Sequence, residues 1–203
     1  MTTAKNLGVI FDTRLNFEAH VDGAVAKCFG ILIGLMHAKH MFSAPVLTTV
    51  VDALVMSHVR YCSQVFGCAN KTVLKKLQKV QNFAARVISG RRRYQHVSDV
   101  IKSLEWLPVA AMIDHNDMCL LHKIITNNEP DVLRENVCYN RDVVQRVTRH
   151  SDHLHLPRFR TNVGRKTFRY RACSLYNEHV IGSSMQGLSY ARFKKTLKAH
   201  LFT

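Results

Sequence analysis

Residues 71–93, KTVLKKLQKVQNFAARVISGRRR, decide the fold because they combine a start signal, an apolar face and a stop signal. Asn70 is a typical N-cap residue, and Gly90 is a typical residue at the C-terminal end of a helix. Between them the apolar residues recur at steps of four and three, which places them on one face of a helix. These residues are Val73, Leu77, Val80, Ala84 and Val87. The pattern predicts an amphipathic helix that begins near Lys71 and ends near Gly90.

The opposite face of this predicted helix is basic, and Gln78 and Asn82 lie beside it. Three arginines follow the stop signal, and three more lysines lie on the outward face of the last predicted helix. The candidate phosphate-binding residues are therefore Lys75, Lys79, Arg86, Arg91, Arg92, Arg93, Lys194, Lys195 and Lys198. Cations arranged in this way can follow a phosphate backbone. A solvated helix face that binds no ligand has the same pattern and is the alternative.

The charge of the whole chain supports an anionic partner. The formal net charge is +15 in 203 residues, while the hydrophobic fraction of 47% is that of a globular protein. The charge is clustered: residues 71–102 hold nine Lys or Arg against one acid, and residues 134–171 hold ten against three. Such an excess attracts polyanions, most often nucleic acid and less often an anionic membrane surface. A basic protein without a specific polyanion is the alternative.

Four aromatic residues, Tyr94, Phe159, Phe168 and Tyr170, lie among or beside basic residues. Aromatic rings next to cations can stack on the bases of a single strand. Core packing is the alternative for each ring, and for Phe168 it is the favoured interpretation. No feature of the sequence indicates which bases would be recognised.

Periodicity along the rest of the chain predicts a mainly α protein. Helices are predicted from residue 16 to about 40, from 43 to about 59, from 98 to 104 and from 108 to about 126. Residues 138–166 lack a helical period and are predicted to be irregular and basic, with at most a short strand, before two C-terminal helices that follow Lys166 and Gly187. Residues 6–12, NLGVIFD, predict a short N-terminal strand with no obvious partner nearby.

The cysteines and the hydropathy pattern indicate in which cellular compartment we expect the protein. Six cysteines occur without any CxxC pair and without a preceding signal peptide, so we expect a reduced, intracellular protein, cytoplasmic and/or nuclear. No apolar run reaches the roughly 18–20 residues of a membrane span, because Lys27 and Asp52 interrupt the two best runs. We therefore expect no membrane association.

Catalytic and metal-binding patterns are weak. His150, His153 and His155 lie close together with Cys138 upstream, but a structural zinc site usually shows a CxxC or HxxxH pair. A basic loop in which histidine adds polarity is favoured, so we predict no metal site and no catalytic residue, and keep a small metal enzyme as an alternative. No paired carboxylates stand out, and His115 and Asp117 on one helix are predicted to be solvated.

Several short blocks of residues carry a resemblance to a known protein family, and in their order and spacing they cover nearly the whole chain. They are Leu7, Gly8, Val9, Phe11, Asp12, Leu15, Phe17, His20, Tyr61, Cys62, Gly67, Leu77, Gln78, Val80, Gln81, Asn82, Ala84, Ala85, Arg86, Leu104, Trp106, Leu107, Pro108, Val109, Arg171, Ala172, Leu175, Asn177, Phe193, Lys194, Lys195 and Leu197. Together they resemble the C-terminal part, comprising the thumb and the downstream region, of reverse transcriptases encoded by non-LTR (LINE-type, jockey-like) retrotransposons. Two departures are Tyr176, where the family usually has tryptophan, and the missing proline after Asn177.

The resemblance implies a helical, thumb-like bundle with a short N-terminal strand stub. Residues 1–15 would end a palm-like strand region, residues 16–136 would form the thumb-like domain, and residues 137–203 would form a basic C-terminal extension. It also implies that the strand at residues 6–12 pairs with strands of the missing palm. The catalytic aspartates of the family lie in that palm, so this chain alone would have neither a catalytic residue nor a cofactor, whereas the full-length family enzyme uses Mg²⁺.

We therefore expect a non-catalytic fragment of a retrotransposon-encoded RNA-directed DNA polymerase that retains a basic nucleic-acid-binding region. Its partners would be an RNA or DNA primer–template, bound through phosphate contacts, and the missing palm domain of the parent polymerase. The alternative is a helical protein-interaction module, co-opted or surviving as a relic, without a role on nucleic acid.

Overall fold

The computed structural model describes residues 3–144 and 149–202. It is 63% helical with a short two-stranded antiparallel sheet at the N-terminus, so the predicted mainly α class is confirmed. The chain divides into two compact units, Met1–Met112 and Ile113–Thr203, which we call unit 1 and unit 2. The three-part division implied by the resemblance stays a prediction.

A β-hairpin opens unit 1 and corrects one prediction. β1 (Thr3–Asn6) pairs with β2 (Val9–Asp12) in an antiparallel register without a bulge. Leu7 and Gly8 form the connecting turn with φ angles of 45° and 84°, and two positive φ angles are what a tight type I′ hairpin turn requires. The expectation that the strand at residues 6–12 has no partner nearby is therefore wrong, while its pairing with a missing palm stays a prediction. Its partner is the preceding segment, which the sequence conceals because all four of its residues are exposed and show no alternation of apolar and polar side chains.

Asp12 connects the hairpin to the first long helix, α1 (Glu18–Ala38). Its carboxylate accepts backbone N–H groups from Arg14 at 2.9 Å, Asn16 at 3.1 Å and Phe17 at 2.7 Å. These hydrogen bonds, led by the one from Asn16, hold the pKa of Asp12 below its usual value. The carboxylate thereby fixes the turn that leads into α1.

Unit 1 is otherwise helical. After α1 come a 3₁₀ turn (Lys39–Met41), α2 (Ala44–Val51), a π-helical segment (Asp52–Met56), α3 (Ser57–Arg60), α4 (Ser63–Phe66), α5 (Lys71–Ser89) and α6 (Ser98–Ser103). α1 packs against α5. Cys28 and Leu32 of α1 are fully buried, and the rings of Phe29 and Phe83 stack with centroids 5.5 Å apart. The helices predicted from residues 16, 43, 71 and 98 are thus confirmed, although the second is interrupted by the π-helical segment.

α5 begins and ends where its sequence predicts. Asn70 precedes it in an extended conformation, and Gly90 ends it with a φ of 71° while its N–H donates to the Arg86 carbonyl oxygen at 2.9 Å. Glycine suits this position because other residues rarely adopt a positive φ. All of the predicted apolar residues are at most 5% exposed: Val73, Leu77, Val80, Ala84 and Val87. One face of α5 is therefore part of the core of unit 1.

The helical stretch Glu18–Met41 corrects the expectation about membrane spans. By length and composition its 24 residues suffice to cross a membrane, even though Lys27 lies within it. One such helix is weak support for a span, because the core helix of a water-soluble protein passes the same test.

Unit 2 contains the remaining helices, and the division between the units lies within α7. Their bounds are α7 (Val109–Asn127), α8 (Asp131–Arg134), α9 (Asn140–Val143), α10 (Asn162–Arg165), α11 (Phe168–His179) and α12 (Tyr190–His200). Residues of α7, α11 and α12 share one apolar core, which includes Met118, Leu121 and Ile124. The described residues between 138 and 166 are irregular as predicted, apart from α9, α10 and an isolated bridge between Tyr139 and Leu154. Residues 145–148, which include Arg146 of the basic cluster at 134–171, lie outside the described part of the chain.

The prediction that His115 and Asp117 are solvated is wrong. His115 is 6% exposed, and Asp117 is fully buried. The guanidinium of Arg171 donates to Asp117 Oδ2 at 2.7 and 3.1 Å. Burial raises the pKa of Asp117 to about 7, although the Arg171 charge favours the ionised carboxylate. The helical period missed this pair because α7 lies in the core of unit 2, where polar positions are also enclosed.

Candidate nucleic-acid interface

The glutamines of α5 form an internal clamp. Gln81 is fully buried, and its Nε2 donates to the Leu107 carbonyl oxygen at 2.8 Å. Gln78 Oε1 accepts the Val109 N–H at 2.9 Å, while its Nε2 donates to Gln81 Oε1 at 2.7 Å and to Asn82 Oδ1 at 3.0 Å. These amides therefore hold the backbone on both sides of Pro108.

Two of the blocks that carry the resemblance lie against each other in this clamp. The Leu-Gln-x-Val-Gln-Asn run of α5 and the Trp-Leu-Pro-Val run that follows α6 are joined by the hydrogen bonds of Gln78 and Gln81. Sequence reasoning missed this pairing, although Gln81 offered a signal. It is four residues after Leu77 and three before Ala84, which places it on the apolar face of α5, where an amide needs an internal hydrogen-bond partner.

Lys75 and Lys79 are exposed on α5, on the side opposite the buried apolar residues. Lys76 lies between them in sequence but belongs to a different face. Its Nζ donates to Asp22 Oδ1 at 2.6 Å and to Glu18 Oε1 at 3.2 Å, and these carboxylates of α1 raise its pKa. Lys75 and Lys79 therefore point toward solvent, as does Lys71 one turn before Lys75, whereas Lys76 connects α5 to α1.

Arg86 and Arg91 have structural contacts. Arg86 is half-buried, and its Nη2 donates to the Gln95 carbonyl oxygen at 3.3 Å. Arg91 binds the Asp99 carboxylate through both of its terminal nitrogens and donates to the His96 carbonyl oxygen at 2.5 Å. Both guanidinium groups thus fix the segment between α5 and α6. Their predicted role as phosphate contacts stays a prediction.

Arg92 and Arg93 are exposed at the tip of that segment. The Gln95 N–H donates to the Arg92 carbonyl oxygen at 3.1 Å, and the Arg92 N–H donates to Gln95 Oε1 at 2.8 Å. These two hydrogen bonds between Arg92 and Gln95 close the turn, which presents its two arginines to solvent. We call Lys75, Lys79, Arg92 and Arg93 the open cations of unit 1.

The other predicted cations belong to α12 in unit 2. Lys194 and Lys195 are exposed, and Lys198 Nζ lies 5.8 Å from the centroid of the Phe202 ring. Four apolar residues of this helix were predicted to face inward: Phe193 and Leu197 are fully buried and Leu201 is half-buried, but Tyr190 is 39% exposed. The predicted two-sided character of the last helix is therefore confirmed except at Tyr190, and its role on nucleic acid stays a prediction.

Further residues of the blocks in unit 2 also make internal contacts. Asn177 accepts the Leu154 N–H at 2.8 Å and donates to the Leu154 carbonyl oxygen at 2.9 Å. Tyr176, where the resemblance leads us to expect tryptophan, is 3% exposed, and its hydroxyl lies 2.9 Å from His122 Nδ1. The core accommodates the hydroxyl because His122, itself 2% exposed, supplies a polar partner. The departure at this position therefore has a local structural explanation.

The histidine segment forms no metal cluster in the described part of the chain, where no group of three or more His, Cys, Asp or Glu side chains could hold a metal ion. His150 Nδ1 lies 3.5 Å from His153 Nε2. Both side chains line a cavity of about 470 Å³ whose other polar lining residues include Arg158 and Asn177. Since the described residues offer no suitable carboxylate set for Mg²⁺, we derive no catalytic step through that ion.

The comparisons with known proteins give one relevant similarity. No protein-family model matches the chain, and no solved structure matches it. The chain is 31% identical over 94 residues to a Drosophila melanogaster protein described as a probable RNA-directed DNA polymerase from transposon X-element. The match covers 43% of this chain and 10% of that protein, so the chain spans about a tenth of the length of its curated relative. The similarity supports a relationship between this chain and the reverse transcriptases encoded by transposons.

Proposed function

We propose that this chain is a nucleic-acid-binding, thumb-like fragment of a non-LTR retrotransposon reverse transcriptase that does not itself polymerise. The observation that carries the proposal is that some cations of α5 and of the turn after it are paired with carboxylates and others are exposed. Lys76 and Arg91 are paired with carboxylates, whereas Lys75, Lys79, Arg92 and Arg93 are exposed. Exposed cations without a fixed carboxylate partner are available to phosphates at little desolvation cost.

The spacing of the open cations suits an extended ligand. Lys75 and Lys79 are one helical turn apart, and the turn that carries Arg92 and Arg93 follows the C-terminal end of the same helix. At about 1.5 Å per residue, α5 places roughly 16 Å between the levels of Lys79 and Gly90. An extended polyanion could therefore contact several of these cations at once, which a small anion could not do.

The direct test is the affinity for RNA and for a DNA primer–template. Replacing all four open cations by glutamine should weaken binding at least 10-fold for every sequence, because phosphate contacts carry no base information. Lys27→Gln, which removes an exposed lysine of α1, is the matched control and should change affinity less than about 2-fold. Equal affinities for the two variants would contradict the proposal.

The lack of polymerase activity is tested separately. With Mg²⁺, primer–template and nucleotides, the isolated chain should extend no primer, since the resemblance leaves the catalytic aspartates outside it. Sustained, metal-dependent synthesis by the purified chain would overturn this part of the proposal. Nucleic-acid binding would then still be judged on the variants of the open cations.

A protein-interaction module remains the second candidate because large apolar side chains of unit 1 are exposed. Met41 is 74% exposed, Leu54 48% and Ile33 46%. Under this candidate the quadruple glutamine variant would behave like wild type in every assay on nucleic acid. Substitution of these apolar residues by serine would instead abolish the interaction with the partner protein.

A further inference from the structure

The turn between α5 and α6 presents an aromatic ring as well as arginines. Tyr94 is 91% exposed, the largest exposed fraction among the large apolar and aromatic side chains of the described residues. The next most exposed tyrosine there, Tyr61, is 51% exposed and donates its hydroxyl to the Leu7 carbonyl oxygen at 2.7 Å. Tyr94 therefore stands apart from the tyrosines that stabilise the fold.

The backbone that carries Tyr94 is held in place on several sides. Arg92 and Gln95 exchange two hydrogen bonds across the turn, at 3.1 and 2.8 Å. Before the turn, Arg91 is tied to Asp99, and behind it Arg86 donates to the Gln95 carbonyl oxygen at 3.3 Å. Several polar contacts thus order a segment whose outermost side chains are two arginines and a tyrosine. A ligand would meet a ring whose backbone is already ordered, which lowers the entropic cost of binding.

We infer that Tyr94 is a stacking platform for an unpaired nucleobase, with Arg92 and Arg93 on the neighbouring phosphates. This inference rests on the proposed function and adds a substrate class to it, namely single-stranded or locally unpaired nucleic acid. A base in the middle of a duplex has both faces covered by its neighbours, so it offers no face to the ring. An unpaired base offers a free face to the ring. Stacking on an aromatic side chain contributes roughly 1–3 kcal/mol per base without regard to sequence.

The test compares a fluorescently labelled 20-nucleotide oligo-dT with a blunt duplex of the same length, measured by anisotropy at one salt concentration. Tyr94→Ala should weaken binding to the single strand about 5-fold or more, the lower end of one lost stacking contact. Its affinity for the duplex should change less than about 2-fold. Tyr94→Phe keeps the ring and should match wild type on both ligands, which separates stacking from a role of the hydroxyl.

Photo-crosslinking gives a second measurement that does not depend on affinity. An oligonucleotide with 5-iodouracil in place of one thymine should crosslink to Tyr94, because this base reacts with aromatic rings stacked on it. Peptide mapping by mass spectrometry identifies the site. Circular dichroism should be unchanged in the variants, since the substituted side chain is 91% exposed.

The outcomes distinguish this inference from the function on which it rests. If wild type binds both ligands and Tyr94→Ala weakens neither, or weakens both equally, the stacking role is wrong while phosphate binding stands. A crosslink at another residue also contradicts the stacking role. If wild type binds neither ligand, the proposed function fails and the inference fails with it. Capture of a protein at this turn in place of nucleic acid would count against both.

Discussion

Gln81 is the residue at which α5 departs from a simple two-faced helix. Its side chain is fully buried, donates to the Leu107 carbonyl oxygen and accepts a hydrogen bond from Gln78. A buried amide with both ends paired ties two segments together more specifically than apolar contact does. The blocks that carry the resemblance therefore include residues that determine the fold, and their presence does not by itself identify a ligand site.

This role predicts a large cost for removing the amide. Gln81→Met keeps the length of the side chain but leaves the Leu107 carbonyl oxygen without its donor, so we expect a loss of about 1–3 kcal/mol in the free energy of unfolding. Urea unfolding followed by the fluorescence of Trp106, which is 6% exposed in unit 1, measures it. Lys79→Met on the exposed face of α5 is the control and should cost less than about 0.5 kcal/mol. Equal effects of the two substitutions would refute the clamp.

Asp117 predicts a pH dependence in unit 2. Its pKa is raised by burial from the ordinary 3.8 to about 7, and its Oδ1 lacks a hydrogen-bond partner among the described residues. The folded chain therefore binds more protons than the unfolded chain between about pH 4 and pH 7. The stability contributed by protonated Asp117 is fully present below pH 4 and is lost as the pH rises through 7.

The variant Asp117→Asn isolates this contribution. The difference in unfolding free energy between wild type and Asp117→Asn should shift against wild type by more than about 1 kcal/mol from pH 4 to pH 8, since each pKa unit corresponds to about 1.4 kcal/mol. Hydrogen exchange of the α11 amides measures this difference in unfolding free energy for unit 2. A constant difference for Asp117→Asn would contradict the raised pKa.

At the scale of elements, the end of α5 and the turn after it are held in place together. The helix ends at Gly90, and the pair between Arg91 and Asp99 then holds the turn in place. Removing the carboxylate should loosen the turn without changing its tryptic sites. We expect Asp99→Ala to speed tryptic cleavage after Arg92 and Arg93 by roughly 1.5- to 5-fold, the range for an exposed ion pair.

The control for this experiment is another exposed acid in an ion pair. Asp22→Ala breaks the contact with Lys76, which lies 2.6 Å away, and should leave cleavage at the turn unchanged. Mass spectrometry of the early fragments identifies the cleaved bonds. Faster cleavage in both variants would indicate a general loss of stability and would contradict a local role for Asp99.

The elements also show what the sequence can and cannot predict. The start, end and buried face of α5 follow from local signals at Asn70 and Gly90 and from its apolar period, and the structure confirms them. The contacts of Gln81 with Leu107 and of Arg91 with Asp99 depend on how the chain folds back, which no local pattern encodes. Hence the candidate cations could be predicted, but their separation into paired and exposed ones required the structure.

At the scale of the whole molecule, each unit carries its own cations. Unit 1 has the open cations Lys75, Lys79, Arg92 and Arg93, and unit 2 has those of α12. The net charge of +15 predicted a polyanionic partner for the chain as a whole. It could not indicate which unit carries the cations that would bind this partner. The irregular segment at residues 138–166 was predicted as irregular, whereas the hairpin at the N-terminus was not predicted because β1 is short and fully exposed.

The salt dependence of nucleic-acid binding is the decisive measurement for the proposed function, because it counts the phosphates that the open cations neutralise. If each of the four neutralises one phosphate of a duplex, the quadruple glutamine variant should have a log–log slope less steep than wild type by about 3.6. Lys27→Gln should leave the slope unchanged within about 0.5. A quadruple variant with the wild-type slope would show that these side chains do not contact phosphates and would contradict the proposed function.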